Sequence, residues 1–152
     1  MSTTANSTLS AHRVLNHFRI PEIFDDIDHR IGSFTMFHGL DNLKNFTFSL
    51  FEVTTRMELS EVKDEISKIG GQVNFYDLCR QFALDPSILK EGCTLIALGT
   101  RFEERLLHDY KVWYPCITFK TSGNVGFELG LIAISDDVPI PSHYHILVKT
   151  KK

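Results

Sequence analysis

"VWYPCITFKTSGNVGFELGLIAIS", residues 112–135, is the stretch on which the fold turns. Aromatic and β-branched residues fill both of its ends, and Gly123-Asn124 between them is a tight-turn signal. That pattern predicts two antiparallel strands joined as a hairpin. A two-residue turn at Gly123-Asn124 sets Ser122 opposite Val125 and Trp113 opposite Ile134. A third strand candidate, 142–149, follows the Pro139 and Pro141 connection. Folded back on the second, it sets Ile134 opposite His143.

Side chains alternate between the faces of a strand, so this register sorts them. One face gathers Trp113, Ile117, Phe119, Ile132, Ile134, His143 and His145, with Glu128 opposite Lys149 as a cross-strand ion pair. The other gathers Tyr114, Cys116, Phe127, Leu129, Leu131, Ile146 and Val148. A sheet with one wet face alternates cleanly between apolar and polar positions, and this one does not. The Trp113 face is therefore expected to be covered by the Phe-rich N-terminal segment, by a second subunit, or by a hydrophobic ligand.

Working outward, strand candidates also occupy 93–100 and, in the segment SFTMFHGLDNLKNFTFSLFEV, 33–37 and 44–54, read as a Phe-rich hairpin. Residues 1–10 read as a disordered polar tail, and 11–150 as a single domain. Helices are expected from Ser10 through Phe18, and from Pro21 to Gly32 on the spacing of Ile23, Phe24, Ile27 and Ile31. Thr55 and Glu58 have capping-box spacing before the stripe Leu59, Val62, Ile66 and Ile69. Asn74 caps a helix to about Ala83, and Asp85-Pro86 begins another that ends at Gly92. The crowded run from Arg101 to Asp109 reads as a solvated charged loop. Helices segregated from a C-terminal run of antiparallel strands make the fold class α+β.

The bulk numbers bound the function. A chain of 152 residues with 43% hydrophobic and 23% charged residues is globular. Its net charge of −3 argues against a general nucleic-acid surface, which needs a concentrated basic field. MSTTANSTLS has neither a cationic start nor an apolar core of a leader, and no window reaches the length of a membrane helix, so a cytoplasmic protein with no membrane partner is expected. Cys79, Cys93 and Cys116 are odd in number and far apart, and free thiols are expected. There is no G-x-S-x-G, phosphate loop or dinucleotide fingerprint, so no cofactor is expected.

Three resemblances follow from particular residues. The segment "DLCRQFALDPSILKEG", 77–92, resembles the helix-turn-helix of bacterial regulators, with Ala83 at the turn, Leu84 packing after it, and Ile88 and Leu89 inward. The resemblance implies a recognition helix in the major groove, but Glu58–Gly92 carries seven acidic and four basic residues. Such a charge repels phosphate, so a plain helical corner is expected there. The His143-x-His145 pair after a proline is similar to the cupin motif, which also needs a downstream glutamate and a second histidine motif. A 2-His-1-carboxylate metal site would need Glu128, which the predicted register leaves about 13 Å along the strand, so no metal is expected. Helices over one face of a bent sheet are similar, by element order, to the NTF2-like cone, an architecture that often houses a pocket and dimerises.

The leading expectation is a non-catalytic binding or assembly protein, a homodimer, using the aromatic-lined Trp113 face as contact surface or pocket. The alternative is a small enzyme or binding protein for a hydrophobic molecule in a sheet-lined cavity, with His143 or His145 as acid–base. A DNA-binding regulator is the third reading.

Overall fold

The computed structural model describes residues 4–6, 24, 26–32, 35–39, 46–90, 92–120, 126–135, 139–141 and 144–151. Among them the strands are β1 (Thr4–Asn6), β2 (Asp26–Ile27), β3 (Thr35–Gly39), β4 (Phe46–Glu52), β5 (Gly70–Gln72), β6 (Thr94–Ile96), β7 (Thr100–Arg105), β8 (Tyr110–Lys120), β9 (Gly126–Ala133) and β10 (Tyr144–Lys151). The helices are α1 (Leu59–Ile69) and α2 (Phe75–Leu84). The fold is mixed α+β, dominated by one large, open, mainly antiparallel sheet.

Strand β8 is its hub. β9 runs along one edge, while β7 and β6 share the other. From β7 the sheet continues to β3 and β1, and from β6 to β10 and β4. β6–β10 and β2–β9 are parallel, and the remaining pairings are antiparallel.

The break between β6 and β7 has an identifiable cause. Ile96 lies opposite Cys116 but Phe102 lies opposite Trp113, so the intervening chain jogs out of register at Ala97–Gly99. Opposite the jog stands Pro115, whose carbonyl accepts from the Ala97 amide at 3.2 Å. The amide and carbonyl of one strand residue point to the same edge, so the donor that proline lacks would also have faced the jog. A central-strand proline is thereby tolerated, at a bulge. Gly99 fills the jog because the segment entering α2 crosses there. Its amide donates to the Val73 carbonyl at 2.7 Å, and a Cβ on Gly99 would sit 2.6 Å from that carbonyl.

Each face of the sheet has its own helix. α1 buries Leu59, Val62 and Ile66 against Ile96, Tyr114, Cys116, Ile134, Ile146 and Val148. Its N-cap is Glu58, which forms a capping box with Glu61, three residues later than the Thr55 box expected; Ile69 ends the stripe exposed. α2 is capped by Asn74, whose side chain accepts from the Asp77 amide at 2.8 Å, as the sequence predicted. It buries Phe75, Leu78, Cys79 and Phe82 against Leu95, Phe102, Ile117, Leu129 and Leu147. The aromatic surplus is used here: Phe82 stacks on Phe24 at 5.0 Å and meets Phe127 edge-on at 4.9 Å, and Phe75 meets Phe102 at 5.7 Å. Each such fully buried side chain contributes about 1.5–3 kcal/mol.

Several expectations are corrected. Residues 26–32 are a short strand and a 3-10 turn in place of a helix, because Asp26–Ile27 pair with Glu128–Leu129. β3 and β4 form no hairpin with each other; β3 pairs with β7, and β4 with β10. The run 100–105 is strand β7, its Phe102 wholly buried, where a loop was expected. Thr4–Asn6 of the expected tail pair with β3. The helices lie on opposite faces, not together on one. The helix expected over 11–18 and the Gly123-Asn124 turn lie outside the described residues.

Candidate functional site

The register of β8 and β9 differs by one residue from the two-residue-turn expectation. Trp113 is opposite Ala133, and Lys120 opposite Gly126, leaving five residues between the strands. A one-residue slip turns every side chain of one strand to the other face. Trp113, Ile117 and Phe119 therefore share their face with Phe127, Leu129 and Leu131, under α2. Ile132 and Ile134 lie on the opposite face, with α1.

β10 does not pair with β9 at all. It lies between β4 and β6, with His145 opposite Glu52 and Leu95. His145 still shares the Trp113 face, since Leu147 of that parity packs there. It is buried, with Nε2 4.0 Å from Glu52 Oε1. His143 lies outside the described residues. The expected Glu128–Lys149 pair is replaced by two others, Lys120 with Glu128 and Lys149 with Asp77. Of the seven residues expected on one face, the structure thus brings together Trp113, Ile117, Phe119 and His145, and separates Ile132 and Ile134.

The second helix expected from Asp85-Pro86 to Gly92, on which the helix-turn-helix resemblance depends, is also overturned. Beyond α2 the chain makes only a 3-10 turn, Pro86–Ile88, too short to lie in a groove of DNA. Leu89 is buried as expected, but Leu84 is exposed.

The open concavity is on the α1 side. α1 covers the β10–β6 part of that face and leaves the β7–β8 end uncovered. A groove of about 620 Å³ results, walled by Leu59 and Lys63 of α1 and Arg101 of β7. Its floor is Tyr110, Val112 and Tyr114 of β8, with Ala133, Ile134 and Ser135 beyond, and Lys111 at the rim. Alternation along β7 places Arg101 there, because Phe102 faces α2. Helical spacing places Lys63 beside the Leu59–Val62 stripe.

The electrostatics of the groove are one-sided. Lys63 and Arg101 line it and no carboxylate does, in a chain whose net charge is −3. Lys111 borders it through its backbone position, its ammonium lying 6.0 Å from the Trp113 ring of the other face. Lys63 Nζ is 5.9 Å from the Tyr114 ring, and the Arg101 guanidinium is 5.1 Å from the Phe37 ring while reaching Glu103 at 3.4 Å. Such geometry suits an anion with an apolar or aromatic body, held by charge along one side and by ring faces below. Beside the floor, under α1, burial pushes the Cys116 thiol up to about 12, with Glu128 and Asp28 adding to the shift, and on α2 burial also raises Cys79. Both are inert as nucleophiles. The three cysteines are free.

Sequence reasoning missed Lys63, Arg101 and Tyr110. Arg101 was read as part of a solvated loop, and Tyr110, just beyond that run, was given no role; the one available signal was Phe102, a lone aromatic in a charged run.

Among the described residues no His, Cys, Asp or Glu cluster could hold a metal ion, and no helix is long and apolar enough to cross a membrane. No family model, curated protein or solved structure matches the chain.

Proposed function

We propose that this protein is a non-catalytic binding protein whose ligand lies in the groove between α1 and the β7–β8 strands. The observation that carries the reading is the placement of Lys63 and Arg101 over an aromatic floor that no carboxylate lines, with Glu103 paired to Arg101 beside it. The ligand class is an anion with an apolar body. The sheet surface expected as the contact region is retained in kind but moved to the opposite face, and Ile134 is the expected residue that lines it.

An acid–base enzyme has less in its favour. His145 lies on the other face, under α2, away from the groove. Homodimerisation was expected because an apolar face needed a cover. α2 supplies that cover, so the reading is made for a single chain.

Anilinonaphthalene sulfonate, an aromatic anion, is the test ligand. Saturable binding to the native protein is expected, weakened about tenfold by joint Lys63→Ala and Arg101→Ala substitution, roughly the loss of one charged contact. Both side chains are part-exposed, and near-ultraviolet circular dichroism verifies that the variant keeps its packing. Binding that is unsaturable, or indifferent to both substitutions, overturns the reading.

A further inference from the structure

The β7–β8 hairpin ends in a turn that its own chemistry does not explain. Leu106 and Asp109 exchange backbone hydrogen bonds of 2.7 and 3.4 Å, which leaves Leu107 and His108 at the two central positions. Tight turns favour Gly, Asn, Asp or Pro there, each for a backbone reason that leucine does not share. Leu107 is 92% exposed, Leu106 47% and Tyr110 58%. Three of the six large apolar residues exposed among the described residues therefore fall within five positions, whereas surface leucines are ordinarily scattered.

That tip is continuous with the groove. Tyr110 lines the groove and also a smaller hollow of about 350 Å³ formed with Glu103, Arg105, Leu106 and Asp109. One surface thus runs from Leu107 through Leu106 and Tyr110 to Arg101 and Lys63, apolar at the tip and cationic at the far end, with Glu103, Arg105 and Asp109 along the hollow between them.

We propose that this surface docks a short acidic peptide segment of a partner protein, with a bulky apolar residue seated on Leu106, Leu107 and Tyr110 and carboxylates directed at Arg101 and Lys63. The inference rests on the groove reading and names its partner. Charge complementarity selects acid over base, and the exposed leucines select peptide over nucleic acid. Single strands are gripped by a basic track with stacked aromatics, not by aliphatic side chains, and the chain as a whole repels phosphate. A preformed hairpin tip also presents its anchor with little ordering cost.

The experiment is selection of random peptides of about twelve residues on the immobilised full-length protein, followed by anisotropy with the best labelled peptide and with labelled single-stranded RNA of the same length. Enrichment of peptides combining Asp or Glu with Leu, Ile or Phe is expected. Binding should fall about tenfold or more on Leu107→Asp and on Arg101→Glu, and should weaken as salt rises. Leu107 is almost fully exposed, so its substitution leaves the core untouched. Failure to enrich, enrichment of basic peptides, indifference to Leu107→Asp, or tighter binding of RNA than of any peptide overturns the proposal. If anilinonaphthalene sulfonate still binds through Lys63 and Arg101 in that event, the groove reading stands and the peptide partner alone falls.

Discussion

Lys149 Nζ lies 2.8 Å from Asp77 Oδ2, and the two side chains are only 6% and 10% exposed, closed in between β10 and α2. A buried pair of this kind is costly to break, because the survivor keeps its charge without a partner. Asp77 also stands in the first turn of α2, where the helix dipole favours a carboxylate.

Asp77→Ala is therefore expected to destabilise the protein by about 3–5 kcal/mol, with Lys149→Met costing a similar amount. The double variant Asp77→Leu/Lys149→Met should be less destabilised than either single one, because no charge is left stranded. Urea unfolding midpoints at unchanged slope measure it. Additive losses in the double variant would show that the pair is not coupled.

Gly70 lies opposite Thr150 in the β5–β10 ladder, and a Cβ there would fall 1.6 Å from the Lys149 carbonyl oxygen. Its backbone is extended, so the obstacle is space and not conformation. Gly70→Ala must separate β5 from β10 and is expected to cost more than the roughly 1–3 kcal/mol of ordinary overpacking. Gly92, at φ +78° with open space around it, should lose only about 1–2 kcal/mol to alanine through backbone strain. Thermal unfolding of the two variants side by side checks the order.

Phe82 is fully buried among Phe24 and Phe127, whereas Leu84 two residues on is 71% exposed. Phe82→Ala is expected to cost about 3–5 kcal/mol, and Leu84→Ala less than about 0.5 kcal/mol. Equal losses in chemical denaturation would mean that Leu84 packs as in a helix-turn-helix.

Burial raises the Cys116 thiol from 9.0 to about 12. Below pH 9 the folded and unfolded chains both hold the proton, and the stabilisation is complete. Between about pH 9 and pH 12 only the folded chain retains it, so stability falls as pH rises through that window. The decline in unfolding free energy from about pH 8 to pH 10 should be smaller in Cys116→Ala than in the parent. In the native protein Cys93, the one part-exposed thiol, should alkylate first. Equal rates at all three cysteines would contradict the burial described.

Local physics made much of this legible. The Asn74 cap with the apolar spacing of Phe75, Leu78 and Phe82 places α2, and Leu59, Val62 and Ile66 place α1. The strands near 112–120, 126–133 and 144–149 follow from their β-branched and aromatic content, and the unalternating apolarity of both faces correctly required two covers. Partners were not legible. The β8–β9 register depends on a connection of five residues where the turn signal implied two, and the resulting one-residue slip sent Ile132 and Ile134 to the other face. β10 lies beside β6 and β4 because parallel pairing with Thr94–Ile96 buries Ile146 and Leu147 on opposite faces, a long-range gain that no neighbouring residues record. The groove is the extreme case. Lys63 and Arg101 stand 38 positions apart, each an ordinary surface cation in its own segment, and only α1's coverage of half a sheet face brings them to one ligand-sized space. Sequence by itself determined the two long helices, the main strands and most of the side chains they bury, because those depend on near neighbours and on water. The short elements at 26–32, 86–88 and 100–105 did not follow from it. Tertiary structure alone decided register, strand order and the site, because those depend on which distant surfaces compete for the same apolar area.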